Sequence, residues 1–164
     1  SEAGVDSETY SLMEKTIRET DGVIDMHLLR TKTIGGEIYA ESHAQVNPYI
    51  SVTQGHEIAH RIVERVEAVV PAMKELTVHI DPEDDEHESP ELPNCSQLEE
   101  KIRNIWSNEH ESSELQAVTL HILHSGVEAV LRVSPESEAV LEPIVEQITS
   151  LDEVSKVEFV SLRL

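Results

Sequence analysis

The sequence predicts an α+β fold made of two ferredoxin-like units, each a small sheet with two helices on one face, in the order α-β-β-α-β. Segments with helical apolar periodicity alternate with short strand-like runs, and the same order occurs twice. An acidic segment rich in proline separates the two copies. We therefore predict a first domain over residues 7–82, a linker over 83–94 and a second domain over 95–164.

Composition limits the class of partner. The chain has 164 residues, 38% of them hydrophobic but only 3% aromatic, so its core must be built from Val, Ile, Leu and Ala. The net charge of −21 argues against nucleic acid and anionic membranes, since both need a basic patch. It favours cations as partners, and solubility or a high-salt habitat would explain it equally well. No apolar run approaches the roughly 18 residues of a membrane span, and a single cysteine, Cys95, excludes an internal disulfide and a multi-cysteine zinc site.

The first unit opens with a helix and a pair of strands. Asp6 or Ser7 is the predicted cap of the helix. The residues at helical spacing are Leu12, Met13, Thr16 and Ile17. Strands over 23–31 and 37–46 follow, and a pair of glycines makes the turn between them.

A longer helix and a third strand complete this unit. Ser51, with Gln54 three residues later, is a capping-box pattern that marks the start of the helix. The apolar stripe of the helix is Ala59, Ile62, Val63, Val66 and Val70. The strand covers residues 76–80.

The second unit repeats this order. Ser96 and Glu99 form another capping-box pattern before a helix, and a Ser-Gly turn joins the strands "ELQAVTLHIL" and "VEAVLRVS". Pro143 lies inside the next helical pattern, so that helix is either kinked or begins later than the pattern suggests. The segment "KVEFVSL" is the last strand.

Five of the nine histidines fall on elements of the first unit. His27, His43 and His79 lie on its three strands, and His79 shares a sheet face with Asp81 because they are two residues apart. The other two, His56 and His60, are four apart and share a helix face. Imidazole and carboxylate are suitable ligands for Zn²⁺ and related divalent metals, in a mononuclear or a binuclear site. Solvated surface pairs explain the spacing as well.

The remaining histidines are not expected to bind metal. His87 lies in the acidic linker, and His110 ends a helix, where its positive form suits the helix dipole. His121 and His124 are three apart on a strand and so face opposite sides.

Residues 7–82 resemble the cytoplasmic C-terminal domain of cation diffusion facilitator transporters. The features that match are an ordered set: "GV" before the first strand, "HLLRT" at 27–31, a glycine turn, a strand with a single histidine, the helix entry "SVTQGHEIAHRIV" at 51–63, and "VHIDP" at 78–82. The resemblance implies a ferredoxin-like homodimer that binds metal at or near the dimer interface. It implies the metal ligands His27, His43, His56, His79 and Asp81, and His60 is a possible extra one.

The resemblance also implies a function. The family exports Zn²⁺ and related divalent cations from the cytosol by proton exchange through a membrane domain of six helices. We therefore expect a metal-binding dimerisation domain on the cytoplasmic side of the membrane that regulates a zinc-type efflux transporter, with the transmembrane domain and a second copy as partners. The membrane helices are absent from the sequence, so we expect either a fragment of a transporter or a soluble relative.

The second unit is expected to be a degenerate copy without the metal site. Asn47-Pro48 ends the second strand of the first unit, and Ser134-Pro135 repeats this break in the second unit. Counting back from these prolines places Val130 where the first unit has His43, and counting along the last strands places Glu158 near His79. His121 is the one residue expected to match a ligand, His27.

Two other functions compete with this hypothesis. A metal-independent dimerisation domain would leave the histidines incidental. A zinc hydrolase would use "HEIAH" at 56–60, which fits the H-E-x-x-H pattern with Glu57 as the base. We expect no enzyme, because the hydrolase leaves four residues without a role: His27, His43, His79 and Asp81.

Overall fold

The fold consists of two compact units, which divide between residues 88 and 89. The structure, a computed structural model, describes residues 4–84, 91–110 and 115–161. His87, which the sequence analysis assigns to the acidic linker, lies outside the described residues. No helix in the described part of the chain combines the length and the apolar character that a membrane crossing requires.

The first unit has the predicted α-β-β-α-β order. Its elements are α1 (Ser7–Arg18), β1 (Asp25–Ile34), β2 (Glu37–Gln45), α2 (Val52–Val69) and β3 (Met73–Asp81). Strand β2 is central in the sheet, antiparallel to β1 and parallel to β3. Asp6 caps α1 by accepting a hydrogen bond from the Thr9 N–H, and Ser51 and Gln54 form the predicted capping box of α2.

Both helices cover one face of the sheet. Along β2 the residues Ile38, Ala40, Ser42 and Ala44 are buried. The three apolar ones share a core with residues of both helices: Met13 and Ile17 of α1, and Ile58, Ile62 and Val66 of α2. Because successive residues of a strand point to opposite faces, the intervening residues of β2 face away from the helices. His43 is one of them.

A bulge in β1 decides which way its histidine points. His27 pairs with His43, but the next pair in register is Arg30 with Glu41, so β1 has one more residue than β2 over this stretch. Leu28, inside the bulge, has a φ of 58°. The extra residue places His27 and Arg30 on the same face although they are three apart. Without it, His27 would point into the core.

The second unit has the same topology. Its elements are α3 (Cys95–Glu109), β4 (Ala117–Leu123), β5 (Gly126–Val133), α4 (Glu142–Thr149) and β6 (Val154–Ser161), with a 3₁₀ helix over Pro135–Val140. Its own core includes Ile102, Trp106, Leu131, Ile144 and Ile148. The fold class predicted from the sequence is therefore confirmed.

Two helix starts in this unit refine the sequence analysis. The capping box predicted at Ser96 and Glu99 is wrong. The cap of α3 is Asn94, whose side chain accepts a hydrogen bond from the Gln97 N–H, so Ser96 already lies in the first turn. Helix α4 begins only at Glu142, which places Pro143 in its first turn, where a proline causes no kink.

Candidate metal site

Three histidines form one row across the sheet. The strand register pairs His27 with His43 and His43 with His79, so one histidine comes from each strand. The rings of His27 and His43 lie 5.2 Å apart, and those of His43 and His79 lie 4.5 Å apart, both stacked. The imidazoles are therefore side by side on the face opposite the helices.

Asp81 joins two members of this row. Its Oδ2 lies 2.8 Å from Nδ1 of His43 and 3.3 Å from Nε2 of His27. The side chains of His27 and Asp81 are only 9% and 13% exposed, and that of His43 is 21% exposed. The sequence placed His79 and Asp81 on one face, and the structure shows that Asp81 contacts the other two histidines.

The side chains of His27, His43 and Asp81 have the spacing of a metal-binding group. Their ligand atoms all lie within 4.8 Å of one another. Zinc bonds of about 2.0–2.1 Å at tetrahedral angles place neighbouring ligand atoms about 3.3 Å apart. The distance from Asp81 to His27 matches this value, and that from Asp81 to His43 needs to open by about half an ångström. His27, His43 and Asp81 could therefore hold a divalent cation with little movement, leaving a fourth position for a further ligand.

Glu41 is a site residue that the sequence analysis missed. Its Oε1 lies 2.9 Å from Nε2 of His79 and 4.0 Å from Nε2 of His43, and these three form a second group of possible ligands. The signal was present in the sequence: Glu41 precedes His43 by two residues, just as His79 precedes Asp81. The same two-residue spacing places Glu41 on the histidine face.

The helical histidines are not brought to this site. His56 and His60 lie on the exposed side of α2, with their rings 4.4 Å apart, while Ile58 and Ile62 of the same helix pack in the core. Over the residues 4–84, 91–110 and 115–161, neither belongs to a group of three possible ligands. Within one chain, the predicted set thus separates into His27, His43, His79 and Asp81 on the sheet and a pair on the helix.

The surroundings of "HEIAH" do not suit a zinc hydrolase. Both carboxylate oxygens of Glu57 contact the guanidinium of Arg61, with Oε1 3.0 Å from Nε. Hydrogen bonding from Arg61 lowers the pKa of the Glu57 carboxyl below its usual range, which makes it a weaker base. The described part of the chain also brings no third ligand to the pair.

The second unit does not carry this row. Both units have a register shift just after the first paired residue of the central strand, at Ile38 and at Val127. Matching these shifts places Arg132 where the first unit has His43, and Val160 where it has His79. The expected matches at Val130, Glu158 and His121 are therefore wrong. Counting from the prolines fails for Val130 because Pro135 follows β5 sooner than Pro48 follows β2. Arg132 pairs with Ala117 and Val160, so neither His121 nor Glu158 lies in its row. The histidine row is lost, as expected, because Arg132 takes the place of His43 and Val160 that of His79.

Comparisons with known proteins agree with this resemblance of the first unit. The family model described as "Cation efflux protein, cytoplasmic domain" matches residues 5–83. Metal tolerance protein C1 of Arabidopsis thaliana is 25% identical over 139 residues, which cover 77% of this chain and 30% of the relative. Metal tolerance protein 2 of Oryza sativa subsp. japonica is 29% identical over 79 residues, covering 48% of this chain and 20% of the relative.

The match to the Arabidopsis protein is longer than the family domain, so part of the second unit also has a counterpart there. The chain spans less than a third of the length of either relative. Among solved structures, a manganese form of MamM CTD is similar with a TM-score of 0.45 and 24% identity, covering 46% of this chain and 96% of that one. A nickel form has a TM-score of 0.46 and 22% identity, covering 48% and 100%.

Proposed function

Since the family model for the cytoplasmic domain of cation efflux proteins matches residues 5–83, we propose that the first unit belongs to this family, binds Zn²⁺ or a related divalent cation and regulates a cation efflux transporter as a homodimer. A transporter domain of this family is not an enzyme, which agrees with the prediction for this chain. The parent transporter would supply the transmembrane domain, and the first unit would lie on the cytoplasmic side of the membrane.

The contact of Asp81 with two imidazoles carries the proposal. Oδ2 of Asp81 lies 2.8 Å from a nitrogen of His43 and 3.3 Å from a nitrogen of His27. One carboxylate oxygen and two imidazole nitrogens are ligands that Zn²⁺ binds. Each donor comes from a different strand, so the site forms only when the sheet is folded. The imidazoles must be neutral to coordinate, so metal binding releases protons and weakens at acidic pH.

The position of His56 supports a dimer. It lies on the exposed side of α2, apart from the sheet group. If it is a ligand, as the resemblance implies, it binds the metal of a second copy. A metal held between two copies would favour the arrangement that closes the site, and the transporter would be controlled by the difference in metal affinity between its two states. His60 remains a possible extra ligand on the same helix.

A zinc titration by calorimetry tests the proposal. Metal-free wild type is compared with the double variant His43→Ala/His79→Ala, and light scattering is recorded on the same samples. The double variant His121→Ala/His124→Ala removes the same number of histidines from the second unit and is the matched control. We expect tight binding and a zinc-dependent change of mass or shape in the wild type and the control, and loss of both in the sheet variant.

Weak binding of equal strength in all three proteins would contradict the proposal. It would mean that the acidic surface collects cations without a specific site. A metal-independent dimerisation domain would then be the better description.

A further inference from the structure

Strand β4 differs from the other edge strands of the two sheets. Each sheet has three strands in the described part of the chain, so β1, β3, β4 and β6 are edge strands. The backbone N–H and C=O groups along a free edge can pair with another chain, and proteins block this pairing with charged side chains and bulges. Strands β1, β3 and β6 have both kinds of protection, because each carries at least two charged residues and a register shift against its neighbour. Strand β4, "AVTLHIL", has no Asp, Glu, Lys or Arg, and its register with β5 is unbroken.

The apolar side of β4 is also incompletely covered. Val118, Leu120 and Ile122 pack against the core of the second unit but are only half-buried. The apolar residues on the same side of β5 are at most 2% exposed: Val127, Ala129, Leu131 and Val133. A further strand beside β4 would bury the open flank of Val118, Leu120 and Ile122, which is favourable in proportion to the apolar area removed from water.

A second copy of the chain is the partner that this edge fits. The net charge of −21 makes two copies repel one another wherever their acidic surfaces meet. Like charges that lie directly opposite each other also destabilise a pair of strands. Two β4 strands avoid both effects, because β4 contains no acidic residue and no lysine or arginine.

The residues of β4 also match one another when the strand is paired with its own copy. In an antiparallel pair about a two-fold axis at Leu120, every residue of the strand has a partner. Leu120 lies opposite Leu120 of the second copy, and Val118 lies opposite Ile122. On the open face, Thr119 lies opposite His121. Each pair therefore joins side chains on the same face of the sheet, and the pairs on the side of the core are apolar.

We propose that the second unit associates with the second unit of another copy through β4, so that two sheets of three strands form one sheet of six. Main-chain hydrogen bonds between the two β4 strands provide the contact, as in other cases of strand addition. No metal takes part, so this inference goes beyond the proposed function of the first unit. It gives the second unit, which lacks the histidine row, a role in assembly.

Spin labels on single cysteines test the pairing in the full chain. In a Cys95→Ser background, Thr119→Cys places the label on an exposed residue of β4, and Val160→Cys places it on an exposed residue of β6, at the other edge of the same sheet. In the proposed pair the two copies of residue 119 are about 8 Å apart, since neighbouring strands lie about 4.8 Å apart and two residues along a strand span about 6.8 Å. The two copies of residue 160 are at least about 24 Å apart, because five spacings of about 4.8 Å separate the outer strands.

The spectra are recorded with and without zinc, and sedimentation gives the mass of the same samples. We expect a metal-free dimer with strong dipolar broadening for the label at residue 119 and none for the label at residue 160. Mixing with an excess of unlabelled chain should remove the broadening, because it arises between two chains. Both labelled positions are exposed, and circular dichroism checks that the fold is kept.

Two results would overturn the pairing. Absence of broadening at residue 119 means that β4 does not meet a second copy, and equal broadening at both positions means nonspecific association. A zinc-dependent change of mass without broadening at residue 119 would retain the proposed homodimer of the first unit and contradict only the pairing of β4. Broadening at residue 119 in a chain that binds no zinc would support the pairing and contradict the proposed function.

Discussion

Asp81 is the residue on which the proposed metal site depends. Its side chain is 13% exposed and contacts histidines from two other strands. A carboxylate in this position fixes the orientation of both rings and would give a bound cation a negative ligand. The three histidines alone would offer neutral nitrogens without this charge.

We therefore predict that Asp81→Asn weakens zinc binding by more than the roughly 10–100-fold that loss of an outer-shell partner causes. The amide has similar size but no charge, so the fold should be retained. Calorimetry measures the affinity, and His124→Ala, in the second unit, is expected to bind like the wild type. Equal affinities in the wild type, Asp81→Asn and His124→Ala would show that the site is assigned to the wrong residues.

At the scale of the element, the bulge of β1 and the cap of α2 position the histidines. The bulge turns His27 to the outer face, and the capping box fixes the start of the helix that carries His56. Leu28 adopts the left-handed φ that the bulge requires. Such a conformation costs a residue other than glycine about 1–3 kcal/mol, and most for a β-branched side chain.

Substitutions of Leu28 should therefore reveal the bulge. Leu28→Val is expected to lower the free energy of unfolding by roughly 1 kcal/mol and to weaken zinc binding, because a β-branched residue resists this φ. Leu28→Asn also removes the leucine side chain, but asparagine adopts the left-handed region more readily. Denaturant unfolding and calorimetry on both variants provide the measurement. If the two variants behave alike, the backbone conformation of Leu28 is not what orients His27.

At the scale of the whole molecule, the chain has two separate cores. One contains Met13, Ile17 and Ile62, and the other contains Ile102, Trp106 and Ile144. Each unit thus has the buried apolar residues that a small domain needs. We propose that residues 7–82 and 95–164 are two domains joined by the acidic linker.

A fragment of residues 1–88 is therefore expected to fold and to bind zinc as the full chain does. All the proposed ligands on the sheet lie within it, and so does its core. Circular dichroism and calorimetry on the fragment test this expectation. A fragment that stays unfolded, or that folds and fails to bind, would mean that the second unit is needed for the first.

The features that the sequence predicted depend on residues that are close together along the chain. Helical and strand periodicities are local, so the sequence predicted the order of the α-helices and strands among the described residues, and the turn between the first two strands. The two-residue spacing of His79 and Asp81 was also enough to place them on one face. The helix start at Asn94 was missed because a side-chain cap depends on how the chain enters the helix.

By itself, then, the sequence determined the fold class and the strands that carry His27, His43, His79 and Asp81. Only the tertiary structure decided that the three histidines form one row, that Glu41 joins them, and that His56 and His60 lie apart. It also replaced Val130 by Arg132 as the counterpart of His43. The physical reason is register: side chains alternate with a period of two, so one bulge or one shift between strands changes every neighbour across the sheet, and no single strand records it.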